Sequence, residues 1–117
     1  MVRVPLPLML YELRTYWTAP DKLDALHARF RDVTLPLFAR HGMHVVGFWT
    51  PSPRTEASGD LVYLLMFPSE AAVATAWAAF RADPEWQAGK AASEAGGPIV
   101  VKVTSTVLQP TDYSPLV

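Results

Sequence analysis

One run restricts the fold more than any other. Leu61–Phe67, LVYLLMF, is almost continuously apolar, and it lies between Gly59-Asp60 and Pro68. An apolar run of strand length bounded by turn residues reads as a central strand buried on both faces. Such a strand needs a neighbour on each side and a layer over each face. The remaining segments must supply them.

Leu8–Trp17, LMLYELRTYW, reads as the first strand. Alternation puts Met9, Tyr11, Leu13, Thr15 and Trp17 on one face and Glu12, Arg14 and Tyr16 on the other. The lead-in at 1–7 is expected to be irregular, because Pro5 and Pro7 cannot donate to a ladder. Thr18-Ala19-Pro20-Asp21 has the form of a helix start with Thr18 as cap. Leu23, Leu26, Phe30, Val33 and Leu37 then form an amphipathic stripe. Pro36 is expected to kink or loosen its last turn, and Arg40-His41-Gly42 to end it with a glycine cap. His44–Thr50, HVVGFWT, reads as the second strand, and Pro51–Asp60 as a polar loop. Ser69 is the expected cap of a second helix with Val73, Ala76, Trp77 and Phe80 inward. Asp83-Pro84-Glu85 restarts helix, carrying Trp86, until Gly96-Gly97-Pro98. Ile99–Leu108 is the last strand, and 110–117 is a tail without periodicity.

The order strand, helix, strand, strand, helix, strand predicts an α+β domain over 1–117. Its plan is ferredoxin-like βαββαβ with a four-stranded antiparallel sheet. Two helices cover only one face of such a sheet. Yet Val45 and Trp49 oppose Val46 and Phe48, and Tyr63 and Leu65 oppose Leu64 and Met66, so both faces are apolar. A homodimer packed sheet to sheet is expected to close the second face; the long loop or the tail folding across it is the other way.

Composition narrows the partners. A net charge of −1 without a Lys/Arg cluster disfavours nucleic acid and anionic membranes. No window approaches the ~20 apolar residues of a membrane span, and the first residues do not form a signal peptide. The chain has no cysteine, which removes disulfides and thiolate ligands. These features lead us to expect a cytoplasmic protein, with neither metal nor cofactor. Nucleophile elbows, phosphate loops and dinucleotide fingerprints are absent.

Four segments, YELRTY (Tyr11–Tyr16), VGFWT (Val46–Thr50), DPEWQ (Asp83–Gln87) and LQPTDYSPL (Leu108–Leu116), resemble the NIPSNAP family in order and context. The resemblance implies a dimeric α+β barrel of ferredoxin-like subunits. Related barrels include cofactor-free monooxygenases, isomerases and cyclases as well as haem-handling proteins. Tyr63 and Leu65 stand where the family often carries a His and a Trp, so a role resting on that His does not transfer.

Glu12, Arg14 and Tyr16 are the leading catalytic candidates, spaced roughly 7 Å apart along one strand face. Arg14 can hold a carboxylate or enolate, Tyr16 can donate a proton, and Glu12 can act as base. The structural alternative is an ion pair of Glu12 and Arg14 with Tyr16 as packing. His27, at the edge of the first helix's stripe, is a candidate base or a half-packed boundary ring. His41 and His44 flank Gly42 and have no suitable acid nearby in sequence, so a metal site is disfavoured. Trp49, Tyr63 and Trp17 are expected to line an apolar pocket, with Trp77 and Trp86 assigned to packing. The resulting expectation is a cofactor-independent enzyme of isomerase, cyclase or monooxygenase type, acting on an apolar small molecule with a carbonyl or carboxylate. The other reading is a non-catalytic ligand-binding or protein-interaction module.

Overall fold

The computed structural model describes residues 9–116; the expected irregular lead-in and Leu8 lie outside them. The elements are β1 (Leu10–Thr18), α1 (Leu23–Arg29), a π-helical turn (Phe30–Thr34), α2 (Leu35–Arg40), β2 (His44–Trp49), β3 (Leu61–Phe67), α3 (Glu70–Ala82), α4 (Pro84–Ser93) and β4 (Val100–Leu108). The sheet order is β2-β3-β1-β4, with every pair antiparallel. This is the expected βαββαβ plan, with β3 in the sheet interior.

Register decides which side chains meet. Glu12, Arg14 and Tyr16 lie opposite Leu65, Tyr63 and Leu61 on β3, and opposite Val107, Ser105 and Val103 on β4. These side chains share the face that the helices cover. Leu61, Tyr63, Leu65 and Phe67 are buried there with Leu26, Phe30, Leu37, Phe38, Trp77 and Phe80. Tyr63 is the centre of this core: its ring stacks on Phe48 at 4.9 Å and meets the edges of Phe30 at 5.3 Å and Tyr16 at 5.4 Å.

The other face of β3 differs from the expected double burial. Val62, Leu64 and Met66 stay half-buried and outside the core. The alternation expected along the second strand also fails. The β2 register slips between Val45 and Gly47, so Val45 and Phe48 both pair on the helix side and Trp49 falls opposite. The bulge adds one residue and inverts the parity of the strand beyond it.

Local chemistry explains most boundaries. Ser69 accepts from the Ala72 N–H at 3.1 Å, and Asp83 accepts from the Glu85 N–H at 2.9 Å, so both expected caps of the second crossover form. Gly42 takes φ +67° after α2, where its N–H and that of Met43 bond the Ala39 and Phe38 carbonyls. This is a Schellman end, and a side chain at that φ would be strained. Thr18 is not a helix cap. It closes β1, and its N–H and hydroxyl both donate to Asp60, 42 residues away. α1 instead starts after Lys22 without a side-chain cap.

The first crossover is also broken in the middle. The Leu35 N–H bonds the Phe30 carbonyl five residues back, and Pro36, which has no N–H, sits in the first turn of α2. The expected looseness near Pro36 is therefore a wide turn placed before it. α4 packs closely on this turn, since a Cβ on Gly89 would lie 2.6 Å from Val33 Cγ1. Among the described residues no helix is long and apolar enough to cross a membrane.

Candidate functional site

β1 directs Glu12, Arg14 and Tyr16 into the space between sheet and helices. Arg14 donates through Nε to the Tyr63 hydroxyl at 2.9 Å, through Nη1 to Glu12 at 3.0 Å, and through Nη2 to the Tyr16 hydroxyl at 3.4 Å. The two phenol oxygens lie 2.8 Å apart. The guanidinium also lies over the Trp77 ring at 4.1 Å. Glu12 is 2% exposed and accepts from Trp77 Nε1 as well as from the Ser105 hydroxyl. Its oxygens thus already serve three donors inside the chain.

The electrostatics follow from this packing. Burial opposes the Arg14 charge, but Tyr63, Tyr16 and Glu12 outweigh it and hold its pKa above the ordinary arginine value. Burial, reinforced by Tyr16, pushes the Tyr63 phenol well above its usual value against the pull of Arg14. At neutral pH the site is therefore a fixed cation beside a neutral Tyr63 hydroxyl.

Arg14 and Tyr16 form part of the wall of a cleft of about 380 Å³. Arg29, Phe30 and Thr34 come to it from the first crossover. Trp77, Phe80, Arg81, Trp86 and Lys90 come from the second, with Glu94 just beyond it. Arg29 reaches Glu94 at 3.4 Å and lies over Trp86 at 5.3 Å, while Arg81 lies over Trp77 at 5.3 Å. Two polar atoms in this wall, Arg29 Nε and Thr34 Oγ1, are buried without a partner.

The sequence candidates divide between different places. Glu12, Arg14, Tyr16 and Tyr63 come together, with Tyr63 fully buried behind the cleft surface. His27 and Trp49 line a separate cleft of about 340 Å³ with Phe30, Phe48 and Leu61. Trp17 lies on the other sheet face, where it donates to the Glu56 carbonyl at 2.6 Å and Lys102 sits over its ring at 4.6 Å. Trp77 and Trp86 do pack in the helix layer, yet both also border the cleft. His41 bonds Asp83 at 2.8 Å, and Arg40 joins the same carboxylate at 3.2 Å. No group of three or more His, Cys, Asp or Glu side chains able to hold a metal ion occurs among the described residues.

Arg29, Thr34, Arg81 and Lys90 were missed at the level of sequence. Arg29 carried a signal: it is three residues after Leu26 and four before Val33, on the apolar stripe itself. An arginine there must be buried, and a buried cation needs an anionic or polar partner.

The NIPSNAP family model matches residues 11–115. Among solved structures, the fold is similar to that of an uncharacterized NIPSNAP-like domain protein from Burkholderia xenovorans. That match has 20% identity, a TM-score of 0.78, and coverage of 94% of this chain and 91% of that one. A NIPSNAP family protein with unknown function from Agrobacterium tumefaciens matches at 20% identity and TM-score 0.78, over 99% of this chain and 100% of that one. A second NIPSNAP family protein from that organism matches at 19% identity and TM-score 0.79, over 92% and 98%. No curated protein is matched.

Proposed function

The chain belongs to the NIPSNAP family, and we propose that it is a cofactor-independent pocket protein whose Arg14–Tyr16 pair takes up negative charge on a carbonyl or carboxylate oxygen of an apolar small molecule. One observation carries the reading. A fixed, buried cation and a phenol hydroxyl converge on the wall of a cleft that also presents indole and phenyl surface. Donors held in place in a site of low dielectric stabilise developing oxyanion charge without reorganising. A ligand oxygen accepting from Arg14 and Tyr16 makes the neighbouring C–H more acidic, and water in the solvent-open cleft takes the proton, leaving the enolate oxygen on these two donors. In this scheme Glu12 positions Arg14, because its own oxygens already accept three hydrogen bonds.

The test needs no knowledge of the natural substrate. Phenylpyruvate and 4-phenyl-2-butanone are incubated with the protein in D2O, and deuterium entry next to the carbonyl is followed by proton NMR. Exchange faster than in buffer, reduced roughly 10²–10⁴-fold in Tyr16→Phe, is the expected result. Rates equal to buffer for both probes would overturn catalysis. They would favour the second reading, a non-catalytic module, which the internal pairing of all four groups of the Glu12–Arg14–Tyr16–Tyr63 network also suits.

The same proposal includes a homodimer. Leu13, Val62, Leu64 and Met66 are half-buried on the open sheet face, and Trp49 is 53% exposed beside them. A second copy related by a two-fold axis is the commonest closure for such a surface. Native mass spectrometry is expected to give twice the chain mass for the wild type and a monomer for Leu64→Glu. A wild-type monomer would sink the idea.

A further inference from the structure

The hydrogens shared by Arg14, Tyr63 and Tyr16 can be placed one by one, and they give the cluster a direction. Tyr63 is 0% exposed, so its hydroxyl is satisfied inside the chain. Its partners are the Arg14 Nε–H at 2.9 Å and the Tyr16 oxygen at 2.8 Å. Arginine has donors and no acceptor. The Tyr63 oxygen therefore accepts from Arg14, and the Tyr63 hydrogen has only Tyr16 to go to. The upward push of burial and of Tyr16 on the Tyr63 phenol fits a hydroxyl that keeps its proton and donates it.

Tyr16 is then left with an uncommitted hydrogen. Its oxygen accepts from Tyr63 and, at 3.4 Å, from Arg14 Nη2. Each of those two lines already carries the partner's hydrogen, so the Tyr16 hydrogen lies on neither. Tyr16 also forms part of the cleft wall. The acceptors of the cluster are meanwhile taken. Glu12 is buried, and its oxygens receive Arg14, Trp77 and Ser105. The cluster offers the cleft a donor and no free acceptor.

We infer that Tyr63 is a positioning residue: by giving its hydrogen to Tyr16 it turns the Tyr16 hydroxyl into a donor towards the cleft, so the site selects ligands that bring a hydrogen-bond acceptor. This rests on the cleft being the small-molecule site proposed above. Tyr63 touches no ligand and acts from behind the cleft surface. A ketone or carboxylate oxygen fits this polarity, whereas a group that can only donate finds no partner. Arg14 does not deprotonate in water, so the direction does not reverse.

Two measurements test this. In protein carrying 13C-labelled tyrosine, proton NMR should show a slowly exchanging hydroxyl hydrogen coupled to the ring carbons of Tyr63. Tyr63→Phe, which keeps the ring that fills the core, should remove that signal. A bridging hydrogen coupled to the Tyr16 ring, or no protected hydroxyl hydrogen at all, would overturn the direction. The second measurement compares 4-phenyl-2-butanone with butylbenzene, the same shape without the oxygen. Binding is read from the Trp77 indole N–H signal, and the ratio of the two affinities cancels general losses of packing. That ratio should fall roughly three- to tenfold in Tyr16→Phe, the worth of one hydrogen bond, and about twofold or more in Tyr63→Phe. The double variant should fall no further than Tyr16→Phe, because both residues act through one hydrogen. A merely structural Tyr63 would weaken both probes alike. An unchanged ratio in Tyr63→Phe, or additive losses in the double variant, would overturn the inference while leaving the cleft as the binding site. If neither probe moves the wild-type indole signal, the inference and the reading beneath it both fail.

Discussion

The two crossovers of this fold do the same topological work with opposite attention to local rules. The second, α3 and α4, follows them. Ser69 and Asp83 cap its helices, and the Ser93 hydroxyl donates to the Lys90 carbonyl at 2.8 Å. The first, α1 through α2, starts without a side-chain cap and widens into a π turn. Both buried side-chain polar atoms that lack a partner among the described residues belong to it. Both crossovers pack on the same sheet face and share one core. Stability alone does not account for the difference, since each departure in the first crossover costs free energy that ordinary helix would not. The crossover that breaks the rules is the one that brings Arg29 and Thr34 to the cleft.

The comparison can first be broken at the residue joining the two halves. Phe38 is 1% exposed and meets Tyr63, Trp77 and Phe80. Phe38→Ala is expected to cost about 3–5 kcal/mol. Urea unfolding followed by far-UV circular dichroism and by tryptophan fluorescence should give coincident curves. Separate transitions would mean that the crossovers are independent units.

A smaller effect should change sign between the halves. Ser69→Ala removes a formed cap and should cost about 1 kcal/mol. Thr34→Val replaces an unpartnered buried hydroxyl with a methyl of similar size, and should be neutral or stabilising by up to about 1 kcal/mol. Equal losses in the two variants, measured by the same urea titration, would remove the distinction between the crossovers.

The smallest effect is one that acid removes. Bonds from His41, from the Glu85 N–H and from Arg40 hold the Asp83 carboxyl below its usual value of 3.8. A lowered folded-state pKa adds stability above the ordinary carboxylate range, and that stability is lost as pH falls through the folded value. The gap in melting temperature between wild type and Asp83→Asn should therefore be constant near neutrality and close below about pH 4. A constant gap down to about pH 3 would contradict the assignment.

The same contrast explains what was legible in the sequence. Ser69, Asp83 and Gly42 act on groups within a few residues, so their roles could be read directly. Thr18 had an equally good local signature, but Asp60 captured it from 42 residues away. The bulge at Val46 put Val45 on the face of Phe48 instead of that of Trp49, which strict alternation does not foresee. Arg14, Tyr16 and Glu12 were found because strand spacing fixes their common face. Arg29 and Thr34 were not, although both fall on the apolar stripe, because whether a buried polar atom finds a partner depends on three-dimensional neighbours that spacing does not carry.

Phe30, the first residue of that turn, borders both clefts, with Arg29 and Trp86 on one side and His27 and Trp49 on the other. A single ring is therefore shared between two compartments. A molecule that tilted it in one cleft would alter the volume of the other. If that happened, thermodynamic reciprocity would require occupancy of the second to change affinity in the first by the same factor.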